Sequence, residues 1–557
     1  MVALASDLHP TVKFGTDGWR AIIGADFIAP TVAQVAAAAA RAYRLQLDGE
    51  KGGGTGEKSG GSAGEGVAGG AAGEGAAGGV AGGAAENPTI IIGYDCRRDA
   101  GRYAALVGSI IADFGFAVVV SDRYCPTPTV CWSVFNHPEA VGGIVLTSSH
   151  NPAEYLGIKL RMSDGGASPA AFTDIVESLL EPGLPDGFER SLAAFAEAAN
   201  GTPDAPQGHA LKADPRIRFE NLMDAYLQEL HGHVDADLIS KAGLRVVVDP
   251  LFGAGRGYLA GLLRGLGVQV AEVNGAADPS FQGIHPEPIL PWVRTGQAKV
   301  LELGYDACFV TDGDADRIGA IDEHGDYVTS HRILALLIAH LVEDRGLSGR
   351  VIRTSAGSNL LKRQCQRLGL KLTTTPIGFK WIYAEMLAGD VLIGGEESGG
   401  MGVPTHVRER DGLLMALLLT EMMAERQATL AGLVNEMLMQ LGDLEYARRD
   451  LQLTDKQKER FLVTHVQVGA ADAGTAGAGT ADAADAEREA YQALFSGLGE
   501  ELVKVEHADG IKLDFASDAW LLARPSGTEP LVRVYAEAAT PERVEQLLDI
   551  GCTLATG

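Results

Sequence analysis

The sequence predicts an α/β protein: three tandem α/β domains with mixed, parallel-rich sheets, followed by a smaller C-terminal α+β domain. Three observations lead to this prediction. A short β-rich run, a helical stretch and a second β-rich run recur three times, as expected for βαβ units. The chain has 557 residues, whereas a single hydrophobic core stops growing at roughly 250–300 residues. The alternation changes character near Asp443.

The three units follow one another with similar spacing. Ligands usually bind at the carboxyl ends of such strands, so we expect the functional loops to follow these strands. The predicted strand, helix and strand of each unit cover 89–95, 102–114 and 117–120; 244–249, 258–266 and 268–273; and 350–353, 359–368 and 371–375.

We place the four domains at 1–205, 206–323, 324–442 and 443–557. Two segments rich in Gly and Ala, 49–87 and 469–485, interrupt the first and the last of these domains. They contain too few bulky apolar side chains to offset the entropy lost on ordering. We therefore expect both to be flexible surface insertions.

Composition excludes several classes of protein. The chain has 73 acidic and 46 basic residues, a net charge of −27, which argues against nucleic-acid binding. Its six cysteines are widely spaced and fit a reducing compartment better than a disulfide framework. The sequence contains no signal-peptide pattern at its start and no apolar run near the ~20 residues of a membrane span. We expect a cytoplasmic protein that binds neither membranes nor nucleic acid.

The first candidate site is the segment GGIVLTSSHNP at 142–152. An apolar strand ends in small hydroxyl residues, and His150, Asn151 and Pro152 follow. This order presents a serine hydroxyl beside an imidazole on a loop after a buried strand. A turn in which Ser and Asn side chains bind backbone groups is the alternative. The segment lacks the G-x-S-x-G pattern of a hydrolase nucleophile.

The second candidate site is FVTDGDADRIGAID at 309–322, in which Asp312, Asp314 and Asp316 alternate with other residues. Carboxylates this close repel one another unless a hard cation such as Mg²⁺ or Ca²⁺ holds them. An EF-hand is disfavoured because Arg317 stands at the sixth position, which needs Gly. A solvated acidic turn is the other alternative. Three carboxylates leave room at Mg²⁺ for a phosphate oxygen, which Arg317 could also bind.

Two further loops could bind a sugar phosphate. In IGGEESGG at 393–400, Glu396 and Ser398 lie on one side of an extended loop and suit vicinal hydroxyls, although an ordinary Gly-rich turn is the alternative. In LLARPSGTEP at 521–530, Arg524 precedes two hydroxyl residues and a glycine, and Arg533 follows. Arginine suits bidentate phosphate binding, so this loop predicts an anion cradle. A solvated loop is its alternative.

Together and in this order, these segments resemble the α-D-phosphohexomutase superfamily, in particular phosphoglucomutases and phosphomannomutases. TSSHNP resembles the family's T-A-S-H-N-P phosphoserine loop, and DGDADR is identical to its metal loop. GEESG is similar to its sugar-specificity loop, and RPSGTEP to its phosphate loop. FGTDGWR at 14–20, HPEP at 285–288 and DGIK at 509–512 also resemble family signatures. The resemblance spans nearly the whole chain apart from the two insertions, and it implies four domains around a central cleft.

The resemblance implies a role for each matching residue. Ser149 would be the phosphorylated nucleophile and, through its phosphate, a ligand of one Mg²⁺ per chain. The other ligands would be Asp312, Asp314 and Asp316. His150 and Lys159 are implied in proton handling, and Arg20 in contacting the transferring phosphate. The residues that we expect to bind the sugar or its phosphates are Arg317, Gly378, Lys380, Glu396, Ser398, Arg524, Ser526, Gly527, Thr528 and Arg533.

Two positions depart from the family pattern. Ser148 stands where the family usually has Ala, so a second hydroxyl precedes the predicted nucleophile. We prefer Ser149 because it lies directly before His-Asn-Pro. Leu156 replaces the usual Asn before Gly-Ile-Lys, which leaves Lys159 in place.

The sequence therefore predicts a phosphohexomutase that interconverts α-D-glucose 1-phosphate and glucose 6-phosphate, with glucose 1,6-bisphosphate as intermediate and activator. Gly400 follows Glu-x-Ser-Gly, where the dual glucose/mannose branch often has His, and this favours glucose. Phosphomannomutase and phosphopentomutase are the nearest alternatives. A sugar phosphatase and a non-catalytic sugar-phosphate binder are remote ones. The expected partner is a hexose phosphate, and the chain is expected to be a monomer or a homodimer.

Overall fold

A computed structural model describes residues 12–15, 17–52, 87–181, 187–197, 216–466, 481–526 and 531–556. These residues form four sheets, which follow one another along the chain. The first three sheets are mixed and contain parallel pairs, whereas the fourth is antiparallel. The predicted fold class is confirmed.

The first sheet carries the predicted phosphoserine loop. Its strands are β1 (Trp19–Ile22), β2 (Thr89–Tyr94), β3 (Ala117–Ser121), β4 (Ala140–Leu146), β5 (Tyr155–Arg161) and β6 (Ile217–Glu220). Its helices are α1 (Ala29–Gly52), α2 (Ala100–Asp113), α3 (Thr127–Asn136), α4 (Ala170–Ser178) and α5 (Glu189–Glu197). The strand order is β1-β5-β4-β2-β3-β6, with β2, β3, β4 and β6 parallel. β2 is apolar and buried throughout because the sheet is covered on both faces.

The second sheet carries the predicted metal loop between two antiparallel strands. Its elements are α6 (Met223–Gly232), α7 (Ala236–Ala242), β7 (Arg245–Asp249), α8 (Tyr258–Gly265), β8 (Gln269–Glu272), α9 (Arg294–Leu303), β9 (Ala307–Thr311), β10 (Ile318–Asp322) and β11 (Tyr327–Val328). The strand order is β11-β10-β9-β7-β8. β7 runs parallel to both β8 and β9, while β9 and β10 form a hairpin.

The third sheet repeats the pattern with four strands in the order β13-β12-β14-β15, the numbering following the chain. Its elements are α10 (Ser330–Ala339), β12 (Arg350–Thr354), α11 (Asn359–Leu368), β13 (Leu372–Thr375), α12 (Phe379–Ala388), β14 (Val391–Gly395), β15 (Met401–Gly402), α13 (Gly412–Arg426) and α14 (Leu430–Leu441). The predicted sugar-specificity loop connects β14 to β15.

The fourth sheet is a five-stranded antiparallel sheet. Its elements are β16 (Glu445–Gln452), α15 (Asp455–Phe461), α16 (Ala481–Gln492), β17 (Leu502–Glu506), β18 (Ile511–Phe515), β19 (Trp520–Pro525), β20 (Leu531–Ala538) and α17 (Pro541–Thr556). The strand order is β16-β20-β19-β18-β17. The predicted phosphate loop connects β19 to β20.

The hydrophobic core is shared unequally among the four parts. One continuous cluster of buried side chains runs through the first three, including Ile91, Val248, Phe309 and Ile393. The fourth part has a core of its own around Leu513. The last part is therefore attached to the others by a smaller apolar contact and by polar groups.

Some predicted boundaries differ from the structure. β6 pairs with β3 in the first sheet, although the predicted boundary after residue 205 assigns it to the second domain. Residues 53–86 and 467–480, most of the two predicted insertions, lie outside the described residues. At their ends the prediction is wrong, because residues 49–52 continue α1 and 481–485 begin α16. Within the described ranges, no helix combines the length and apolarity needed to cross a membrane.

Candidate active site

The loop after β4 holds Ser149 in a constrained conformation. Its φ of 50° lies in the left-handed region, which non-glycine residues seldom adopt. The Ser149 N–H donates to Thr147 Oγ1 over 2.9 Å, which helps to fix this turn. The side chain is 1% exposed. Strained backbone of this kind concentrates at functional sites.

Arg97 fixes the same loop by binding its carbonyl oxygens. It follows β2, and its guanidinium donates to the carbonyl oxygens of Ser149 (2.6 Å), Asn151 (2.7 Å) and Pro152 (2.7 Å). Asp95 balances its charge, with its Oδ2 3.1 Å from Arg97 Nε. Burial raises the pKa of Asp95 to about 6, although Arg97 acts to lower it. One buried arginine thus sets the path of the whole loop.

The metal loop meets Ser149 directly. Ser149 Oγ donates to Asp312 Oδ2 over 2.8 Å. Gly313 lies so close that a Cβ there would come within 2.3 Å of the Ser149 carbonyl oxygen. Only glycine permits this approach of the two backbones. Thr127 supports the loop from α3, since its Oγ1 donates to Asp314 Oδ2 over 2.6 Å.

Asp312, Asp314 and Asp316 suit a hard cation. All three are fully buried, and one ligand oxygen from each lies within 4.8 Å of the others. Among the described residues, Asp314 Oδ1 and Asp316 Oδ1 have no hydrogen-bond partner. Burial, together with the charges of Asp314 and Asp316, raises the pKa of Asp312 well above its usual range. Unpaired oxygens in a crowded anionic cluster fit a cation that prefers carboxylate ligands, such as Mg²⁺.

Lys159 lies among these carboxylates. Its Nζ is 2.8 Å from Asp314 Oδ2, 3.2 Å from Asp316 Oδ2 and 2.8 Å from Asp17 Oδ2. Burial alone would lower the pKa of this ammonium, but the carboxylates, led by Asp17, outweigh it and raise the pKa. Lys159 is therefore charged here and supplies positive charge beside Asp314 and Asp316.

Arg410 extends this network to the sugar-specificity loop. Its Nη2 lies 2.8 Å from Asp316 Oδ2 and 2.7 Å from Asp17 Oδ2, and its Nη1 lies 3.2 Å from Glu396 Oε2. Arg161 completes the network on the far side of Asp17, at 3.1 Å. These buried arginines join parts of the chain that are far apart in sequence.

His150 lies beside the Ser149 hydroxyl, and Arg20 contacts the same loop. His150 Nδ1 lies 3.4 Å from Ser149 Oγ, and burial, followed by the charges of Arg317 and Arg20, holds its pKa well below the usual range. Arg20 Nη1 donates to Asn151 Oδ1 over 3.1 Å. Ser148 Oγ donates to the same amide oxygen over 3.2 Å. Of the two adjacent serines, the one that contacts the aspartate trio is therefore Ser149.

The sugar-specificity loop is joined to the metal loop through the backbone. Ile318 N donates to Gly399 O over 3.0 Å, and Arg317 pairs with Gly400 in an isolated bridge. Burial raises the pKa of Glu396 to about 7, against the opposing charge of Arg410. Within the described part of the chain, the buried Ser398 Oγ has no hydrogen-bond partner. A buried carboxyl group and an unsatisfied hydroxyl group suit a polyhydroxylated ligand.

Two further predicted residues lie at the start of α12. Gly378 precedes this helix with a φ of 123°, a conformation that side chains rarely allow. Lys380 Nζ lies 5.4 Å from the centre of the Trp381 ring. Lys380 also lines a small cavity together with Asp17 and Gly18. The structure thus brings Lys380 to the edge of the acidic and basic network.

The phosphate loop belongs to the fourth sheet. Arg524 and Arg533 stand directly opposite each other on β19 and β20. Like charges so placed repel, and Asp450 lies 3.8 Å from Arg533 Nε. Arg524 Nε donates to Asp509 Oδ1 over 2.7 Å. Ser526 N donates to Leu531 O over 2.9 Å, which joins the end of β19 to the start of β20. Gly527 and Thr528 lie outside the described residues.

Sequence reasoning missed the residues that hold the site together. Arg97 is one of these, and its signal is the Asp-Cys-Arg run directly after a buried strand. Arg410 is another, in the charged run RERD before an apolar helix. Asp17 enters the sequence prediction only as part of the opening signature, and Thr127 carries no signal. The catalytic and binding roles of the predicted residues remain predictions.

Comparisons with known proteins identify the class to which this fold and site belong. Family models for the phosphoglucomutase/phosphomannomutase α/β/α domains I, II and III match residues 71–183, 224–325 and 329–441. The model for the C-terminal domain of the same family matches residues 470–550. A phosphoglucomutase/phosphomannomutase of Thermococcus kodakarensis is 31% identical over 470 residues, covering 84% of this chain and 90% of the relative.

Other relatives carry different substrate names. A phosphoglucosamine mutase of Ruminiclostridium cellulolyticum is 27% identical over 451 residues, or 81% of this chain and 86% of that protein. The crystal structure of a Thermus thermophilus protein assigned as a phosphomannomutase has a TM-score of 0.74 and 28% identity, covering 99% of this chain and 100% of that one. Fold and site thus define the class of phosphohexomutases. The chain belongs to the phosphoglucomutase/phosphomannomutase family and is an enzyme of that class.

Proposed function

We propose that this enzyme interconverts α-D-glucose 1-phosphate and glucose 6-phosphate through a phosphorylated Ser149 and a glucose 1,6-bisphosphate intermediate. One observation carries the proposal: the buried Ser149 Oγ lies 2.8 Å from Asp312 in a trio of carboxylates that suits Mg²⁺. Asp312, Asp314 and Asp316 would hold the ion together with an oxygen of the phosphoserine. Bound Mg²⁺ would neutralise charge on the transferring phosphoryl group.

The first half-reaction moves the phosphoryl group from enzyme to sugar. A substrate hydroxyl oxygen attacks the phosphorus, the bond from phosphorus to Ser149 Oγ breaks, and Oγ keeps the electron pair. The net proton movement runs from the substrate hydroxyl to Ser149 Oγ. His150 and Lys159 line this path, with His150 Nδ1 3.4 Å from Oγ. After the bisphosphate has turned round, the same steps in reverse return its other phosphate to Ser149.

The chain's own residues supply positioning and exclude water. Arg97 and the Thr147 hydroxyl fix the nucleophile's backbone, and positioning accounts for much of phosphoryl-transfer catalysis. Glu396 and Ser398 would bind ring hydroxyls, and Arg524 and Arg533 the phosphate that is not reacting. Burial of Ser149 keeps water from competing with the sugar hydroxyl.

The glucose preference rests on the sugar-specificity loop. A Cβ at Gly400 would come within 2.2 Å of Arg410 Cδ and 3.1 Å of Glu396 Oε2. The position therefore cannot carry the imidazole of the dual-specificity pattern unless Arg410 leaves its carboxylates. Glucosamine phosphate is a second candidate substrate, because relatives that match most of this chain are named phosphoglucosamine mutases.

A panel of 1-phosphates with Mg²⁺ tests the proposal. The 1-phosphates of glucose, mannose, glucosamine and ribose would each be supplied with a trace of the matching bisphosphate, and isomer formation and free phosphate would both be measured. We expect kcat/KM for glucose 1-phosphate to exceed the others by about tenfold or more, because each lost hydrogen bond to a sugar hydroxyl costs about 1 kcal/mol. A faster reaction with another sugar would overturn the glucose assignment. Phosphate release without isomer formation would identify a phosphatase instead.

A further inference from the structure

A second group of possible metal ligands lies away from the active-site carboxylates. Glu229 and His233 are one helical turn apart at the end of α6, and His406 lies on the loop between β15 and α13. One ligand atom from each of these three side chains lies within 4.8 Å of the others. We call Glu229, His233 and His406 the histidine cluster. The proposed catalytic reaction uses none of them.

Asp411 orients the imidazole of His406. Asp411 Oδ1 accepts from the N–H groups of Leu413 and Leu414, both over 3.0 Å, as it caps α13. Asp411 Oδ2 lies 3.0 Å from His406 Nε2 and holds this ring nitrogen. The other ring nitrogen, Nδ1, is left for a further partner. A carboxylate that orients an imidazole in this way typically supports a metal-bound histidine.

The free nitrogen of His406 has no other explanation in the described part of the chain. The His406 side chain is 5% exposed, and its Nδ1 is buried without a hydrogen-bond partner among the described residues. Buried polar atoms are nearly always satisfied, so an orphaned ring nitrogen beside two further possible ligands is a place where a cation would fit.

The spacing of the other two ligands fits a small tetrahedral ion. Glu229 Oε1 and His233 Nε2 lie 3.1 Å apart. Bonds of about 2.0–2.1 Å from Zn²⁺ to nitrogen or oxygen separate tetrahedral ligands by roughly 3.3 Å. Glu229 is exposed and His233 is half-buried, which gives an ion a route from solvent.

We propose that the histidine cluster binds a divalent transition metal of the zinc class, with a fourth position left for water. Two imidazoles and one carboxylate favour Zn²⁺ over Mg²⁺, which prefers oxygen ligands throughout. The bound ion ties α6 to the loop before α13. The same loop carries Arg410, so the site steadies a side chain that contacts Asp316 and Glu396.

Titration of the metal-stripped protein with Zn²⁺ tests the proposal, using saturating Mg²⁺ so that the aspartate trio does not contribute. We expect one Zn²⁺ per chain, a melting temperature that rises with Zn²⁺, and the visible absorption of a tetrahedral complex when Co²⁺ replaces Zn²⁺. His233→Gln and Glu229→Gln should each weaken Zn²⁺ binding at least tenfold and remove the effect on melting. His231→Gln, an exposed histidine on the same helix, is the matched control and should bind as the wild type does.

Equal Zn²⁺ affinity in wild type and His233→Gln would overturn the proposal, as would loss of binding in the His231→Gln control. These readouts do not depend on turnover, so they stand whether or not the proposed glucose specificity is correct. Circular dichroism of both variants without metal separates loss of a ligand from loss of folding.

Discussion

The two regions that we propose to bind the substrate's phosphates are built differently. Ser149 is almost fully buried on the loop after β4, a strand that contributes to the core shared by the first three parts and to a second core within the first part. The phosphate loop with Arg524 lies on a sheet that has its own core. That sheet touches the third part through a small apolar cluster around Trp520 and Tyr535.

The polar contacts of the two regions differ in the same way. The Ser149 loop is held by several hydrogen bonds from the fully buried Arg97. The phosphate loop is tied to the third part through Asp509, which accepts from Arg524 and from Ile377 N. Lys512 Nζ donates to the Ser355 carbonyl oxygen over 2.7 Å. Further contacts join the same two parts, from Lys362 to Asp518 and from the Asn359 N–H to Glu537.

This difference matches what a mutase requires of each side. Phosphoryl transfer needs a nucleophile fixed to within a fraction of an ångström. A bisphosphate that must turn round needs a binding site that can release it, and a domain with a core of its own can move as a rigid body. We therefore expect substitutions on the Ser149 side to lower kcat, and substitutions on the phosphate-loop side to raise KM.

The largest effect is expected from Ser149→Ala, with Ser148→Ala as its matched control. Removing the nucleophile should lower mutase turnover by about four orders of magnitude or more. Ser148→Ala should retain most activity because its hydroxyl contacts Asn151 rather than the aspartate trio. Intact mass after incubation with glucose 1,6-bisphosphate should show an added phosphoryl group on wild type and Ser148→Ala. Its appearance on Ser149→Ala would place the nucleophile elsewhere.

The next effect is expected from Arg97→Lys, which keeps the charge but loses the planar fork that reaches several carbonyl oxygens. A displacement of the nucleophile by about 1 Å costs roughly 10²-fold in rate. We expect kcat to fall by about this factor while KM changes little. Steady-state kinetics beside those of Arg98→Lys, an exposed neighbour, would check this. A rise in KM at unchanged kcat would show that Arg97 does not act by positioning the nucleophile.

The sequence predicts the fold well because each α/β unit is encoded locally. The strand at 89–95 and the helix at 102–114 are apolar runs of the right length and period, and the structure has them at Thr89–Tyr94 and Ala100–Asp113. The four active-site loops are also local, since each is a short motif after a strand. Predictions fail where alanine-rich residues could be either a helix end or a flexible segment, as at Ala481.

The supporting network is not encoded locally, so the sequence alone did not reveal it. Arg410 contacts Asp17 across a sequence separation of 393 residues, and Thr127 contacts Asp314 across 187. Such pairs depend on how whole domains pack against one another. A charged residue that will be buried cannot be told from a solvated one by its neighbours in sequence, because burial is set by distant elements.

On the phosphate-loop side, Arg524→Ala should act mainly on binding. Losing a charge-assisted contact to phosphate costs about 1.5–3 kcal/mol, which corresponds to a rise in KM of about 10-fold to 150-fold. We expect kcat to fall much less than in Arg97→Lys. Arg449→Ala, on the same sheet but paired with Glu545 and Asp549, should leave KM unchanged. If Arg524→Ala instead lowers kcat at constant KM, the two regions do not divide positioning from binding.

The smallest effect is expected on the pH dependence of KM, through the titration of Glu396. Burial raises the pKa of Glu396 to about 7, with Arg410 opposing the shift. The carboxylate form accepts hydrogen bonds from sugar hydroxyls, so KM should rise by about fivefold to tenfold as the pH falls from 8 to 6.

Glu396→Gln cannot titrate, so its KM should lose this part of the pH dependence. The ionisation of the substrate's own phosphate is common to both proteins and cancels in the comparison.

The pH dependence of stability tests the raised pKa of Glu396 independently. A raised pKa means that the folded state holds its proton longer than the unfolded state. Stability from this group is therefore complete below about pH 4.5 and is lost as the pH rises through about 7. The melting temperature of Glu396→Gln minus that of the wild type should be larger at pH 8 than at pH 6. An equal difference at both pH values would mean that Glu396 is ionised throughout, and that Arg410 rather than burial sets its charge.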